Sequence, residues 1–424
     1  MYNISGIDQN PKLGYYRVAD ETYYSKPMAY MRAKELGTIP TWCFNNIQFV
    51  KEDWTVEPEV DLLELYRLRA QQIRDQYDYI RLDLSGGSDS ATVLYSFVLN
   101  NIPLDEVVFR YPKQGEKGVV GDVHNYDPSN TLSEWEFSAK PMLHWISTNY
   151  PDVKITFYDY SQRMIDGDYL KDESWILQTR DWFQPGHVAK HDIFGAKEHR
   201  EQADSGKKIC ILHGVDKPKV VVINGQWYTY FIDVFANQPS PIKHDYENIT
   251  HELFFWTPDL PKLLIKQSHM IKTWFDLPTH KTFKYLVSYP VRDPNARTTY
   301  ENIVKSIVYP QFDLTTWQTS KATNSFYNEM DHWFYTNFSD TEMYQVWKSG
   351  LEFLTSNVDH DQFMSKDGKI NGFTWNKSIF YHLGPVLDEV ETEIIVTNHD
   401  FRKEYLKPEE ITVWQNQKLK HITV

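Results

Sequence analysis

Short apolar runs alternate with segments of helical periodicity through the first half of the chain. The apolar runs predict four strands, at residues 79–84, 106–111, 153–158 and 208–212. The spacing of apolar positions predicts helices around them, at residues 58–76, 91–99 and 131–149. Because strands and helices alternate, the pattern predicts an α/β fold with a parallel sheet.

The segments on either side of this alternation have a different pattern. Residues 1–57 are rich in Tyr and Trp and contain one short helical stretch, at 27–36, that ends before Gly37. The dipeptide Asn224-Gly225 is a strong hairpin signal between two apolar runs. From about residue 248 the pattern is aromatic and helical, with helices predicted at 259–271, 300–308, 320–335, 342–357 and 401–405.

The most informative stretch is Ser85-Gly86-Gly87-Ser88-Asp89-Ser90, which lies between a predicted strand and a predicted helix. Gly86 and Gly87 permit positive φ and close approach of an anion, and such a turn aims backbone N–H groups at one point. The helix N-terminus adds partial positive charge, and the three serines offer hydroxyl donors. A carboxylate repels phosphate, so we expect Asp89 to hold Mg²⁺ that bridges phosphate oxygens.

Two further groups of polar residues stand at the ends of predicted strands. Arg110, Tyr111 and Lys113 end one strand, and His213-Gly214-Val215-Asp216-Lys217-Pro218 follows another. Ligands bind beyond the carboxyl ends of parallel strands, so we expect both groups to face the same ligand. Asp216 and Lys217 are candidate catalytic residues, since a lysine there can stabilise charge on a leaving group. The alternatives are that Arg110 caps its strand and that the second stretch is a tight turn.

Two other features leave more than one interpretation open. His187 and His191 would share one helix face, a spacing that can bind zinc, but the sequence marks no third ligand. The glycine-rich stretch at 114–130 has the composition of either a lid or a variable surface loop.

Composition narrows the function classes. The chain of 424 residues has 44 Lys and Arg against 58 Asp and Glu, a net charge of −14 that disfavours nucleic acid and anionic membranes as partners. Cys43 and Cys210 are the only cysteines, so a disulfide framework is excluded. Neither an apolar signal segment nor a membrane-spanning run is visible, and we expect a cytoplasmic location.

The Ser-Gly-Gly-Xaa-Asp-Ser pattern after a strand and before a helix resembles the PP-loop of the N-type ATP pyrophosphatases, whereas the Walker A lysine is absent. The resemblance implies the adenine nucleotide α-hydrolase-like fold, a Rossmann-like (HUP) domain. It also implies cleavage of ATP between its α- and β-phosphates, with AMP transferred to a substrate oxygen. ATP and Mg²⁺ are therefore the expected cofactors. The nucleotide contacts are expected from residues 85–90, Arg110, Tyr111, His213 and Gly214.

Missing features separate this chain from several members of that family. Phosphoadenylyl-sulfate reductases need a C-terminal redox cysteine, and no cysteine follows Cys210. The cysteine pair of thiolating members and the zinc-binding cysteines of deazaguanine-forming members are also absent. Asparagine synthetases begin with a catalytic Cys at position two, where this chain has Tyr2. The acidic charge fits lysidine-type tRNA ligases poorly.

The remaining expectation is a ligase similar to asparagine synthetase without its glutaminase. It would adenylate a carboxylate or amide oxygen of a small-molecule or peptide acceptor, for attack by ammonia or an amine. The alternative is a nucleotide-binding sensor or host-interaction module without turnover, or a reductase-like fold without the redox cysteine; large PP-loop proteins of bacteriophages look similar. Three parts are expected: an N-terminal cap and lead-in helix at 1–78, the PP-loop domain at 79–247, and a mainly helical C-terminal domain at 248–424.

Overall fold

A computed structural model describes residues 10–111, 113, 135–166, 172–178, 197–236, 248–287, 294–312, 337–358, 378–386 and 411–414. The strands in this part of the chain are β1 (Tyr15–Val18), β2 (Glu21–Tyr23), β3 (Thr41–Cys43), β4 (Tyr79–Asp83), β5 (Glu106–Tyr111), β6 (Lys154–Asp159), β7 (Ile209–His213), β8 (Lys219–Ile223), β9 (Gln226–Ile232), β10 (Ile249–Leu253), β11 (Ser378–Pro385) and β12 (Ile411–Trp414).

The helices in the same residues are α1 (Lys26–Leu36), α2 (Asn46–Phe49), α3 (Leu62–Gln76), α4 (Ser88–Val98), α5 (Lys140–Asn149), α6 (Ser161–Asp166), α7 (Lys197–Asp204), α8 (Asp233–Ala236), α9 (Pro261–Asp276), α10 (Pro294–Val308) and α11 (Glu342–Asn357). Short 3-10 helices occupy Pro11–Leu13, Glu173–Gln178 and Pro278–Leu286, and a π-helical turn, Trp135–Ala139, precedes α5.

Five parallel strands form the central sheet, in the order β10-β7-β4-β5-β6. The four strands predicted from apolar runs are confirmed to within one residue at each end, and so is the parallel α/β class. The chain passes from β4 outward through β5 to β6 and then returns to β7 on the other side of β4. The strand order therefore reverses between β4 and β7, and such a switch point opens a crevice at the carboxyl ends of the strands.

The fifth strand, β10, lies beyond residue 247, the predicted end of the PP-loop domain. It pairs in parallel with β7 over its whole length, from Ile249 opposite Ile209 to Leu253 opposite His213. The parallel sheet therefore continues into the part of the chain that was expected to be mainly helical.

The two faces of the parallel sheet differ in polarity. On one face Leu82, Val107 and Leu212 join the main hydrophobic core with Ile73 of α3 and Leu94 of α4. The opposite face, which we call the polar face, carries buried or partly buried side chains on four strands: Arg81, Asp83, Glu106, Arg110, His213 and His251. Parallel sheets are usually apolar on both faces, so these polar side chains need partners of their own.

A second sheet has the order β12-β11-β9-β8. The predicted hairpin is confirmed: β8 and β9 are antiparallel, and the turn residues Asn224 and Gly225 both have positive φ, as a type I′ turn requires. β11 adds to β9 in antiparallel orientation, although no strand was predicted near residue 378. Its position between β12 and a hairpin almost 150 residues earlier has no local signal in the sequence.

The amino-terminal part forms a small antiparallel sheet in the order β2-β1-β3, followed by α3. The predicted helix before Gly37 is confirmed as α1. Helix α3 begins four residues later than predicted, because the Asp61 side chain caps it by accepting a hydrogen bond from the backbone N–H of Leu63. The helices predicted at 320–335 and 401–405 lie outside the described residues, whereas the one at 342–357 is confirmed as α11.

Candidate functional site

The loop between β4 and α4 is closed by its own serines. The backbone N–H of Ser85 donates to Oγ of Ser90 at 3.2 Å, and the Ser90 hydroxyl donates to the carbonyl of Gly87 at 3.1 Å. The backbone N–H of Gly87 donates to Oγ of Ser85 at 3.1 Å. Ser85 and Ser90 therefore hold the shape of the loop in this structure, in addition to any ligand contact.

The two glycines of the loop have different conformations. Gly86 has φ +80°, and a Cβ at this position would lie 3.0 Å from the backbone nitrogen of Ala139. Gly87 has φ −70°, which any residue adopts. Both glycines permit positive φ, and the loop uses this freedom at Gly86 and not at Gly87. The Ser138 hydroxyl fixes the turn further by donating to the carbonyl of Gly86.

The first turn of α4 contains the backbone N–H groups of Ser88, Asp89 and Ser90. In the part of the chain that the structure describes, no side chain caps this end of the helix. The Ser88 hydroxyl is buried and has no hydrogen-bond partner among the described residues. Uncapped N–H groups with the helix dipole behind them make a favourable place for an anion.

The second predicted stretch packs directly against this helix start. Gly214 follows β7, and a Cβ there would lie 2.8 Å from Cα and 2.9 Å from N of Ser90. Such distances are too short for a side chain, so glycine is what allows the loop after β7 to approach α4. The loops after β4 and β7 therefore meet at the switch point of the sheet.

Lys217 lies at the centre of a cluster of charges beside the loop. Its ammonium group is 2.6 Å from Glu301, 3.1 Å from Asp216 and 3.6 Å from Asp89. Lys219 adds a 3.2 Å contact to Asp216. Burial by itself would lower the pKa of Lys217, but the surrounding carboxylates outweigh it and hold that pKa well above the usual value. Lys217 is therefore protonated, and its charge is paired with the carboxylates of Asp89, Asp216 and Glu301.

The pKa values of the carboxyl groups in this cluster are shifted in opposite directions. Burial raises the pKa of Asp89, against the opposing effect of Lys217, and the Tyr309 hydroxyl donates a hydrogen bond to Asp89. Burial also acts on Asp216 and Glu301, but there the neighbouring ammonium groups outweigh it. They hold the pKa of Asp216 well below its usual range and lower that of Glu301 to about 2. Asp89 is thus the carboxyl group of the three that binds a proton most readily.

Part of this cluster lies on α10, in a stretch where the sequence pattern identified no candidate site residue. Glu301 and Lys305 lie on α10, and Tyr309 follows its last residue. Glu301 contacts Lys217, and Tyr309 contacts Asp89. Their spacing of four residues is the signal that could have identified them, because residues four apart share one face of a helix.

Arg110 and Tyr111 lie on opposite faces of the sheet. Arg110 Nη1 is 2.8 Å from Asp83 on the polar face. The Tyr111 ring packs on the other face against Phe109 and Trp135, with centroids 6.1 and 5.7 Å apart. The structure therefore brings only Arg110 together with the end of β4 that precedes the loop.

His213 ends β7 on the polar face. Its Nδ1 is 3.4 Å from Asp83, and its Nε2 is 2.8 Å from Nδ1 of His251. The two rings are stacked, with an interplanar angle of 5°. Burial would raise the pKa of Asp83, but Arg110 and other cations outweigh it and hold that pKa well below its usual range. Asp83 is thus an ionised carboxylate that contacts Arg110 and His213 just before the loop.

The other predicted residues do not join this cluster. Lys113 is exposed, and its backbone N–H donates to Asp159. His187, His191 and the stretch at 114–130 lie outside the described residues.

The carboxyl groups beside the loop offer oxygen ligands of the kind that Mg²⁺ prefers. In the described part of the chain, no group of three or more His, Cys, Asp or Glu side chains is arranged to hold a metal ion. Asp89 and Asp216 nevertheless make side-chain contact with each other. Mg²⁺ is commonly held by one or two carboxylates, with phosphate oxygens and water completing its shell. The two carboxylates fit a Mg²⁺ ion that arrives with a phosphate, and they do not form a complete metal site alone.

No family model matches the chain, and no curated protein matches it. Among the helices of the described residues, none has both the length and the apolar character needed to cross a membrane. The geometry of the two loops at the switch point is therefore the main support for a function.

Proposed function

We propose that the chain binds ATP at the loop of residues 85–90 and cleaves it between the α- and β-phosphates, within a HUP-type domain. The observation that carries this proposal is the meeting of the loops after β4 and β7 at the switch point of a parallel sheet. Counted from β4, the strand order is 3-2-1-4-5, a doubly wound arrangement. At the N-terminus of α4, the uncapped backbone N–H groups and the Ser88 hydroxyl can donate hydrogen bonds to phosphate oxygens.

The residues of the charge cluster have separate roles in this proposal. Asp89 and Asp216 would hold a Mg²⁺ ion, which would neutralise charge on the leaving pyrophosphate. Lys217 keeps the three carboxylates in place, since its ammonium contacts all of them. Preorganised charges of this kind act mostly on the transition state.

The acceptor is a carboxylate or amide of a small molecule or peptide, whose oxygen takes the AMP group while pyrophosphate leaves. Ammonia or an amine then attacks the activated carbonyl carbon, and AMP leaves. The proposal follows the resemblance to asparagine synthetase-like PP-loop enzymes.

Neither Cys43 nor Cys210 forms a disulfide, which suits a reducing, cytoplasmic setting. Burial raises the pKa of both thiols, so neither suits a thiolate-dependent transfer.

The test is pyrophosphate release from ATP with Mg²⁺ and a panel of carboxylate and amide acceptors. Asp89→Asn keeps the shape of the side chain but removes its charge. We expect the rate to fall by about a hundredfold or more, with a smaller loss of ATP affinity. Asp75→Asn, on the exposed surface of α3, is the matched control and should leave the rate unchanged. Full turnover by Asp89→Asn would reject the metal role.

A second candidate is a nucleotide-binding module without turnover. It is favoured by one observation: Asp89 is already engaged by Lys217 and Tyr309, so a metal ion must compete with these partners. The two functions differ in the same assay. ATP binding in calorimetry without pyrophosphate release, across the whole acceptor panel, would support the module and exclude the ligase.

A further inference from the structure

Helix α10 presents ionisable side chains to the phosphate loop at a spacing of four. Glu301 lies 2.6 Å from Lys217, and the Tyr309 hydroxyl donates to Asp89. Lys305 lies midway between them in the sequence. Since residues four apart share one helix face, Lys305 faces the same charge cluster.

Lys305 differs from the other two lysines of the cluster in its partners. Lys217 and Lys219 make ion pairs with Asp216 at 3.1 and 3.2 Å. Within the described residues, Lys305 has no carboxylate oxygen within 4.0 Å, and its ammonium lies 5.8 Å from the centroid of the Phe312 ring. The charge of Lys305 is therefore the one in this cluster that an incoming anion can use without breaking an ion pair.

We propose that Lys305 binds the β- and γ-phosphates of ATP and the departing pyrophosphate. This inference rests on the proposed function and replaces Lys217, which is occupied by three carboxylates, as the lysine that contacts pyrophosphate. Burial and the charge of Lys217 lower the pKa of Lys305, so the ammonium form gains from an anion beside it. The class of ligand is a diphosphate or a longer polyphosphate.

The test is calorimetric titration of the full chain with inorganic pyrophosphate, in Mg²⁺ and in a chelator. Lys305→Met keeps most of the aliphatic length beside Phe312 and removes the charge, and it should weaken binding by about tenfold to a hundredfold. Lys305→Arg should restore most of the affinity. Lys262→Ala, an exposed lysine of α9, is the matched control and should bind as the parent protein does. Melting curves of all variants verify folding.

The outcomes separate this inference from the function on which it rests. Pyrophosphate binding that is unchanged within twofold in Lys305→Met would overturn the role of Lys305 and leave the ATP site standing. Equal losses in Lys305→Met and Lys305→Arg would also overturn it, because a charge-dependent contact predicts rescue. If the parent chain binds neither pyrophosphate nor ATP, the proposed function fails together with the inference.

Discussion

Gly86 and Gly87 are neighbours in the loop but have different structural requirements. Gly86 has positive φ, and a Cβ there would lie 3.0 Å from Ala139, so a methyl group meets both backbone strain and a close contact. We expect Gly86→Ala to lower the free energy of unfolding by about 2–4 kcal/mol, the combined scale of these two costs. Gly87 has an ordinary φ, so Gly87→Ala should change the free energy of unfolding by less than about 1 kcal/mol.

Comparing Gly86→Ala with Gly87→Ala also separates an effect on stability from an effect on ATP binding. Gly87 is the N-cap of α4, at the proposed anion-binding end, where a methyl group would take space from a phosphate oxygen. Urea unfolding and ATP calorimetry on both variants measure the two effects. Gly87→Ala should weaken ATP binding while its unfolding curve stays near that of the parent protein. Parent-like affinity in a stable Gly87→Ala protein would contradict the assignment of the phosphate loop.

At the scale of elements, local patterns predicted the central sheet well. β5 has the predicted bounds, and the Asn224-Gly225 hairpin and α11 are also confirmed. Each of these elements has its signal within its own sequence: an apolar run, a turn dipeptide or helical spacing. The two loops at the site were predicted because each directly follows a recognisable strand.

Long-range partners were not predictable in the same way. Glu301 meets Lys217 across 84 residues of sequence, and Tyr309 meets Asp89 across 220. Nothing in the local pattern of α10 indicates which surface it will contact. The polar face was missed for a related reason, because Arg81 and Glu106 interrupt apolar runs without showing which partners neutralise them.

Glu301 of α10 should stabilise the fold through its ion pair with Lys217. Glu301→Gln removes the charge nearest to the buried Lys217 ammonium. We expect a loss of about 2–3 kcal/mol in the free energy of unfolding, since Asp216 and Asp89 remain as partners. The exposed pair of Lys348 and Glu352 on α11 offers the matched control, and Glu352→Gln should cost less than about 0.5 kcal/mol.

Urea denaturation at neutral pH measures both changes. A loss in Glu301→Gln that is no larger than the loss in Glu352→Gln would mean that α10 does not hold Lys217 in solution. The role of Lys217 as the centre of the carboxylate cluster would then be wrong.

At the scale of the whole molecule, buried ion pairs join segments that are distant in sequence. Lys26 of α1 lies 3.0 Å from Asp233, and Arg69 of α3 lies 3.1 Å from Glu252 of β10. On the polar face, His199 of α7 makes a 2.7 Å hydrogen bond with Glu106. The buried Glu106 gains from its partners only while its carboxylate stays ionised, so the stability of the fold should depend on pH.

Glu106 is the best probe of that dependence. Burial would raise its pKa, but hydrogen bonds from His199 and Thr156 outweigh it and lower the pKa to about 2. A carboxyl group with a lowered pKa contributes stability that is present above its unfolded pKa, about 4.5, and is lost as the pH falls towards 2. This one group accounts for about 3 kcal/mol at neutral pH.

The last prediction compares Glu106→Gln with the parent protein in urea denaturation from pH 7 to pH 2.5. The variant should be less stable at pH 7, and the difference should shrink steadily below about pH 4.5, because the parent protein loses the stabilising charge that the variant never had. Glu64→Gln, at an exposed ion pair of α3, is the control and should follow the parent curve. A difference between Glu106→Gln and the parent protein that stays constant down to pH 2.5 would show that Glu106 stabilises the fold by its shape and hydrogen bonds and not by its charge.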